Sequence, residues 1–167
     1  MNEPTVVVVA SEKGKSYSFM GTRIVVKASG EDTGGAYALM DLHIPRGGGS
    51  PSHIHRICEK GYWILSGELT FVVGEKHERI VAKPGDYIRI PKGLLVHYIN
   101  QGEHHVQALC MSIPAGIEHF YAEVGTQLAS STTNPSLAKV DEIHEMMAKA
   151  PKYGMEIFVK ETQPAAV

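Results

Sequence analysis

Two glycine-framed motifs with unbroken internal spacing constrain the fold of this chain more than any other feature of its sequence. The first occupies residues 47–67 and the second occupies residues 85–100. Their fixed points are a histidine pair and a set of turn-forming residues: Gly47, His53, His55, Gly67, Gly85, Pro91, Gly93 and Asn100. Because glycine and proline interrupt regular structure at defined positions, both motifs predict short strands joined by tight turns.

Short segments rich in β-branched and aromatic residues recur through the first two thirds of the chain. Many short strands separated by Gly, Pro and Asp turns are typical of an all-β barrel or sandwich. We predict strands at Thr5–Ala10, Arg23–Ala28, Ala36–Ile44, Tyr62–Ser66, Glu68–Val73, Arg79–Val81, Asp86–Ile90, His97–Asn100 and His105–Ile113.

The C-terminal third of the sequence changes from strand-like to helix-like patterning. Apolar residues at helical spacing predict a short helix that ends at Gly125, with Ile117, Phe120, Tyr121 and Val124 on one face. Asn134-Pro135 indicates the start of a second helix that Pro151 ends, with an apolar stripe of Leu137, Val140, Ile143 and Met147. Met155–Val159 predicts a returning strand.

Composition limits the partners and the compartment. The chain has 167 residues, a net charge of −2 and no run of more than two basic residues, which argues against nucleic-acid and membrane-surface partners. No apolar run reaches membrane-spanning length. Cys58 and Cys110 lack metal-type spacing, and the N-terminus lacks a basic apolar leader. We therefore expect a cytoplasmic protein.

The two motifs resemble the signature motifs of the cupin superfamily. In that pattern the first motif reads G-x5-H-x-H-x4-E-x6-G and the second reads G-x5-P-x-G-x2-H-x3-N, and both frames fit this chain without a gap. The resemblance is closest to single-domain cupins related to quercetin 2,3-dioxygenase. It includes the lead-in at residues 30–36, the strand at residues 62–68 and the late segment Tyr153-Gly154-Met155-Glu156.

The resemblance implies a jelly-roll β-barrel with a short C-terminal helical extension. Residues 1–115 would form the barrel, including an N-terminal strand. Residues 116–160 would add helices and a closing strand to the same domain, and residues 161–167 would be a tail. It also implies a homodimer. The run Val6-Val7-Val8-Val9 fits that expectation, because such a β-prone edge needs a pairing partner.

The chain departs from the family at the metal ligands. The family pattern implies a divalent metal held by three histidines and one glutamate, but the Glu position falls on Lys60 and the third His position falls on Val96. Only His53 and His55 carry over. A positive charge at Lys60 repels a divalent cation, and two histidines without a carboxylate hold most catalytic metals poorly. We therefore favour no cofactor.

A metal-binding alternative uses the residues next to the vacated positions. Glu59 and His97 could complete the shell around His53 and His55 and hold a divalent transition metal. Side chains on a strand alternate between faces, so each replacement would need a local bulge to turn it inward.

The alternation of faces also predicts a cavity. His53 and His55 point to one side of their strand, and the inward faces of the neighbouring strands add further groups. We predict His53, His55 and Lys60 as catalytic residues. The side chains predicted to bind substrate are Tyr62, Phe71, Val96 and Tyr98. These residues could instead have structural roles only. The histidine pair would then be vestigial, the lysine would extend to the rim of the barrel, and the apolar and aromatic side chains would simply pack in the core.

This cavity predicts a small-molecule enzyme that performs non-redox acid–base chemistry. The reaction would be of the cyclisation or isomerisation type, on an apolar, aromatic or polyketide-like substrate. Two alternatives remain, a metal-dependent quercetinase-like dioxygenase and a non-catalytic ligand-binding cupin.

The substitutions Lys60→Glu and Val96→His, made together, should create a tight transition-metal site, because they complete the three-histidine, one-glutamate set. Elemental analysis of both proteins, purified without chelators or a His-tag, measures this. We expect well below one metal ion per natural chain and near one per variant chain. Near-stoichiometric metal in the natural chain would show that Glu59 or His97 has been recruited.

Overall fold

The computed structural model describes residues 5–11, 13–129 and 140–159. Their strands are β1 (Lys15–Phe19), β2 (Thr22–Ala28), β3 (Ala38–Ile44), β4 (Ser52–His55), β5 (Glu59–Ser66), β6 (Leu69–Val73), β7 (Glu78–Ala82), β8 (Tyr87–Ile90), β9 (Leu95–Ile99), β10 (Val106–Ile113), β11 (Thr126–Leu128) and β12 (Met155–Phe158). The helices are α1 (Gly30–Thr33), α2 (Ile117–Val124), α3 (Val140–Lys149) and a 3₁₀ helix (Ala150–Tyr153).

The strands form two antiparallel sheets that share one hydrophobic core. The larger sheet has the order β11-β1-β2-β3-β10-β5-β8, and the smaller has the order β12-β4-β9-β6-β7. The predicted all-β jelly-roll fold with a C-terminal helical extension is confirmed. Across the described ranges the two sheets stay separate and do not close into one hydrogen-bonded ring.

The core forms where the inward faces of the two sheets meet. Met40 and Ile44 of β3 face Leu69 and Phe71 of β6, and all four side chains are fully buried. On β3 the neighbours Leu39 and His43, which point to the other side of the strand, are partly exposed, as the period-two geometry of a strand predicts. Burying such side chains supplies about 1.5–3 kcal/mol each.

Hydrogen bonds tie the start of the first motif to the end of the second. The Gly47 amide donates to the Asn100 carbonyl at 2.9 Å, and the Asn100 amide donates to the Gly48 carbonyl at 2.9 Å. A Cβ atom on Gly49 would lie 2.2 Å from the Tyr98 carbonyl oxygen, so only glycine fits where these backbones cross.

The Asn100 side chain completes this connection. It is fully buried, and its Nδ2 donates to the carbonyls of Ile44 at 3.0 Å and His104 at 2.8 Å. Its Oδ1 accepts the Gly102 amide at 3.0 Å. One asparagine therefore satisfies three backbone groups that secondary structure leaves unpaired.

The C-terminal predictions are confirmed in part. The helix predicted to end at Gly125 is α2, and the predicted returning strand is β12, which pairs with β4. The predicted start at Asn134-Pro135, with Leu137, lies outside the described residues. On α3 the predicted stripe is wrong at Met147, which is 38% exposed, whereas Met146 is buried. The inward face is rotated by one residue.

The prediction of a strand at Thr5–Ala10 is wrong. This segment has no strand pairing, and Val6, Val7 and Val8 are 92%, 69% and 84% exposed. The Lys27 Nζ donates to three carbonyls at and just after the end of this segment, those of Ala10, Ser11 and Lys13, at 2.7–2.9 Å. That anchor fixes the turn before β1 but leaves the valines outside the sheets.

The remaining differences concern short or polar strands. β1, β4, β11 and α1 were not among the predicted elements, because each is short or rich in small polar residues. β5 begins three residues earlier than predicted, at Glu59. No helix in the described ranges is long and apolar enough to cross a membrane.

The substitution Asn100→Ala should lower the free energy of unfolding by about 3 kcal/mol, because it leaves three backbone groups without partners. Chemical denaturation monitored by circular dichroism measures the change. Glu103→Ala, an exposed substitution in the same turn, serves as the control and should change stability by less than about 0.5 kcal/mol. Equal effects of the two substitutions would contradict this role for Asn100.

Candidate functional site

All seven residues predicted for the site face the space between the two sheets. None is more than 6% exposed. They come from four strands: His53 and His55 from β4, Lys60 and Tyr62 from β5, Phe71 from β6, and Val96 and Tyr98 from β9. The inward orientation follows from strand alternation on each element. Their functional roles stay predictions.

The two histidines form a compact pair. Their ring centroids lie 4.9 Å apart, and the rings are nearly perpendicular. The His53 Nδ1 donates to the Pro51 carbonyl at 2.9 Å, which leaves its Nε2 as the unprotonated nitrogen. The His55 Nδ1 is buried and has no hydrogen-bond partner among the described residues. That nitrogen is free to meet a ligand or a water molecule.

Burial keeps both imidazoles neutral at neutral pH. It lowers the pKa of His53 to about 4, with the Pro51 carbonyl opposing the shift and the charge of Lys60 adding to it. Burial and Lys60 together lower the pKa of His55 still further. Each ring is therefore uncharged at neutral pH, and its lowered pKa makes it a weak base unless a bound anion offsets the charge of Lys60.

Lys60 is the most unusual group in this space. Its side chain is only 2% exposed, so Lys60 does not extend to the solvent at the rim of the barrel. Its Nζ lies 4.0 Å from the Cys110 Sγ and 5.8 Å from the centroid of the Tyr121 ring. Within the described ranges no carboxylate pairs with it. A buried cation without a counter-charge costs several kcal/mol.

Aromatic rings surround these polar groups. The centroid of Tyr62 lies 5.1 Å from that of Phe71 and 5.8 Å from that of Tyr98, in edge-to-face geometry. Burial raises the pKa of the Tyr62, Tyr98 and Tyr121 hydroxyls. These phenols therefore stay protonated and can donate hydrogen bonds.

Two residues beside the site, Tyr121 and Phe19, were not predicted from the sequence to belong to it. Tyr121 of α2 lies beside Lys60, and Phe19 of β1 packs against Tyr121 with centroids 5.2 Å apart. The sequence marked Tyr121 as part of a helix stripe. Nothing in the sequence indicated that the apolar stripe of α2 would pack over the space between the two sheets.

The helical extension closes the space between the sheets. A cavity of about 20 Å³ remains, lined by His53, Tyr62 and Tyr98 and capped by Phe120, Tyr121, Met155 and Ile157. Such a volume holds one or two water molecules, whereas ligand pockets are typically about 300–1,000 Å³. A ligand larger than a few atoms would need this space to widen, for example by a movement of α2 or β12.

An acidic contact fastens this cover. Glu123 of α2 accepts a hydrogen bond from the Lys152 Nζ at 2.8 Å and another from the Tyr153 hydroxyl. These hydrogen bonds lower the pKa of Glu123. They join α2 to the 3₁₀ helix that precedes β12, so the two parts of the cover are linked.

The residues present do not fit a divalent metal at the histidine pair. Glu59 faces outward and pairs with Arg89, whose Nη2 lies 2.6 Å from its Oε2. His97 also faces outward, with its Nδ1 3.3 Å from the Ser52 Oγ. The metal-binding alternative needed Glu59 or His97 inside, and the structure brings neither of them to His53 and His55. Lys60 supplies a positive charge in their place.

One group of three possible metal ligands occurs elsewhere among the described residues, comprising Glu31, Glu118 and His119. Its buried member, Glu118, already accepts the amides of Gly30 at 2.8 Å and Gly116 at 2.7 Å. The Glu118 carboxylate therefore joins α1 to the start of α2.

Residues 40–112 match the family model described as a cupin domain. A predicted oxalate decarboxylase from Thermotoga maritima aligns at 21% identity over 65% of this chain and 99% of its own, with a TM-score of 0.58. KdgF from a Halomonas species aligns at 14% identity over 66% of this chain and 96% of its own, with a TM-score of 0.57.

An RmlC-like cupin from Shewanella frigidimarina aligns at 13% identity over 69% of this chain and 96% of its own, with a TM-score of 0.58. At these identities the likeness concerns the fold alone. No curated protein shows a significant sequence match.

Acid should destabilise the protein through the buried histidines. With a folded-state pKa of about 4 for His53 and an unfolded value of about 6.5, the unfolded state binds more protons between these pH values. Stability is therefore complete above about pH 6.5 and falls as the pH drops, by about 2 kcal/mol at pH 5 for this one histidine.

Denaturation between pH 7 and pH 5 tests this expectation. The variant His53→Gln should flatten the pH dependence, while His104→Gln, at an exposed position, should leave it unchanged. An unaltered slope in His53→Gln would show that other groups cause the acid sensitivity.

Proposed function

We propose that the protein is a small-molecule enzyme that uses its buried cupin site for non-redox acid–base chemistry on an anionic or enolisable substrate. One observation carries the proposal: Lys60 lies buried without a carboxylate partner among the described residues, beside two histidines that burial keeps neutral. A ligand that brings a carboxylate or enolate oxygen would neutralise Lys60 and offset the cost of burying it.

The chemistry follows from these groups. A neutral imidazole, with His55 as the first candidate because its Nδ1 lacks a partner, removes a proton from the carbon next to a carbonyl group once the bound anion has offset the Lys60 charge that lowers its pKa. The resulting enolate oxygen is stabilised by Lys60. The imidazolium then returns the proton to another carbon, which gives an isomer. In the ring-closing alternative the enolate carbon bonds to a second carbonyl carbon, the π electrons of that carbonyl move to its oxygen, and this alkoxide takes the proton from the imidazolium.

The aromatic wall suits an apolar substrate. Tyr62 and Tyr98 line the cavity, and Phe71 and Val96 belong to the same buried cluster. These four side chains would contact the carbon skeleton, and the cover formed by α2 and β12 would exclude water during the reaction. An aromatic or polyketide-like molecule matches this lining. Admission of such a molecule requires the cover to open.

The proposal also concerns the subgroup of cupins from which the chain derives. We infer that the chain derives from the quercetin 2,3-dioxygenase-related cupins, with Lys60 and Val96 replacing two metal ligands. Residues 1–115 and 116–160 would form one domain, and the protein would act as a cytoplasmic homodimer. A metal-dependent dioxygenase reaction is disfavoured, because Glu59 and His97 face outward in the described structure.

A non-catalytic ligand-binding protein is the second candidate. The buried Lys60 favours it, because its charge can hold an anionic ligand without any reaction taking place. Conversion of a bound enolisable ligand, followed by mass spectrometry, would distinguish the two functions.

The substitution Lys60→Met should abolish the preference for anionic ligands while leaving the fold intact. We expect benzoate-type carboxylates to bind the natural protein at least about tenfold more tightly than the variant, since a charged hydrogen bond contributes about 1.5–3 kcal/mol. Neutral benzyl alcohol should bind both equally. Isothermal titration calorimetry measures these affinities.

Lys92→Met is the matched control, because it removes the same charge from an exposed loop and should not alter binding. The stability of Lys60→Met should equal or exceed that of the natural protein, because replacing a buried charge by an apolar group of similar volume is often stabilising. Equal benzoate affinity in the natural protein and Lys60→Met would remove Lys60 from the ligand site.

A further inference from the structure

A second pair of histidines lies on the outer surface of the larger sheet, away from the buried site. His43 belongs to β3, and His105 directly precedes β10, the strand that pairs with β3. His43 alternates with the buried residues Leu42 and Ile44, so its ring points away from the core. We call His43 and His105 the outer histidine pair.

The distance between the two rings is longer than that of a good hydrogen bond. The His43 Nδ1 and the His105 Nε2 face each other at 3.4 Å, with ring centroids 5.6 Å apart and planes tilted by 40°. Hydrogen bonds donated by N–H groups are usually about 2.7–3.2 Å long. Two nitrogens that each bind one tetrahedral zinc ion at about 2.0–2.1 Å are about 3.3–3.4 Å apart. The observed separation therefore matches that of two ligands of one metal ion.

The other ring nitrogen of His43 meets a carboxylate. Its Nε2 lies 3.2 Å from the Oδ2 of Asp41, which is only 6% exposed. The Gln107 Nε2 donates to both oxygens of Asp41, at 3.0 Å and 3.1 Å, and so holds the carboxylate in place. When Asp41 accepts the proton on Nε2, the lone pair of His43 lies on Nδ1, the atom that faces His105. Metal-binding histidines almost always have such a partner on their second nitrogen.

The charges around the outer histidine pair differ from those around the buried pair. Burial lowers the pKa of His105, and the charges of His43 and Arg23 add to that shift, so this ring is neutral at neutral pH. Burial opposes ionisation of Asp41, but its hydrogen bonds lower the pKa of that carboxyl overall. The Asp41 carboxylate therefore offsets the charge of Arg23. Within the described ranges no carboxylate does the same for Lys60 at the buried pair.

We propose that the outer histidine pair binds a divalent transition-metal ion, with the His43 Nδ1 and the His105 Nε2 as ligands and Asp41 as the carboxylate that orients His43. Imidazole ligands suit Zn²⁺, Cu²⁺ and Ni²⁺, and among these Cu²⁺ binds most tightly. Solvent reaches both rings, so water or a small external ligand would complete the coordination. The site lies outside the buried cavity and does not depend on the acid–base function proposed there.

Two protein ligands give a moderate affinity. We expect a dissociation constant of about 1–10 µM for Zn²⁺ near neutral pH, and a lower one for Cu²⁺. Metal that is bound this weakly is lost during purification. The proposal therefore agrees with the expectation that the natural chain, once purified, carries well below one metal ion.

Isothermal titration calorimetry of the metal-free protein with zinc chloride measures the affinity. We expect about one Zn²⁺ per chain. His43→Gln and His105→Gln should each weaken binding at least about tenfold, because each removes one of the two ligands. Asp41→Asn should weaken it about 10- to 100-fold while leaving both ligands in place, since the partner of a ligating histidine typically contributes that much.

A matched control and a second measurement make the test specific. His144→Gln removes an exposed histidine from α3 and should leave the zinc affinity unchanged. Thermal unfolding shows whether each variant is folded, and His105→Gln keeps the test valid if Asp41→Asn is not, because His105 is exposed. Electron paramagnetic resonance of the Cu²⁺-loaded protein should show nitrogen coupling from two imidazoles, and His105→Gln should reduce it to one.

Several results would overturn the proposal. One is the absence of zinc binding up to about 1 mM, and another is an affinity that His43→Gln and His105→Gln leave unchanged. Binding that only His53→Gln removes would assign the metal to the buried pair. Binding that only Glu31→Gln removes would assign it to the group of Glu31, Glu118 and His119. Unchanged affinity in a folded Asp41→Asn variant would overturn the role given to that carboxylate.

Discussion

The hydrogen bonds between the start of the first motif and the end of the second are the constraint on which the rest of the structure depends. The paired backbones at residues 47–49 and 98–100 cross so closely that Gly49 has no room for a side chain. This crossing fixes the pairing of β4 with β9, which puts His53 opposite Val96. Once that register is set, strand alternation determines which residues face inward.

The interior that results is unusual because it combines a hydrophobic core with an unpaired charge. Most of the space between the sheets is filled by side chains that need no partner, such as Phe71 and Ile64. Lys60 and His55 are different, since each has polar capacity that the described residues leave unused. A fold selected for stability alone would avoid both groups, and natural proteins accept such costs mainly at functional sites.

Period-two alternation made the inner residues of β4, β5, β6 and β9 predictable from the sequence, and the same rule correctly turned Glu59 and His97 outward. Local patterns failed where tertiary contacts decide. Val6–Val9 has high strand propensity, but none of the described strands pairs with it. The spacing on α3 allowed either Met146 or Met147 to face the core, and packing selected Met146. The closure of the pocket by Tyr121 depends on how α2 docks, which no local pattern encodes.

The cover formed by α2 and β12 makes ligand affinity a property of the whole C-terminal extension. If only a small fraction of molecules is open at any moment, the measured dissociation constant equals the intrinsic one divided by that fraction. An opening cost of about 2.7 kcal/mol would weaken apparent binding roughly a hundredfold. The contacts of Glu123 with Lys152 and Tyr153 would then raise the apparent dissociation constant, since they stabilise the closed form without touching the ligand. Sequence changes far from the histidines could in this way tune occupancy while the chemistry stays the same.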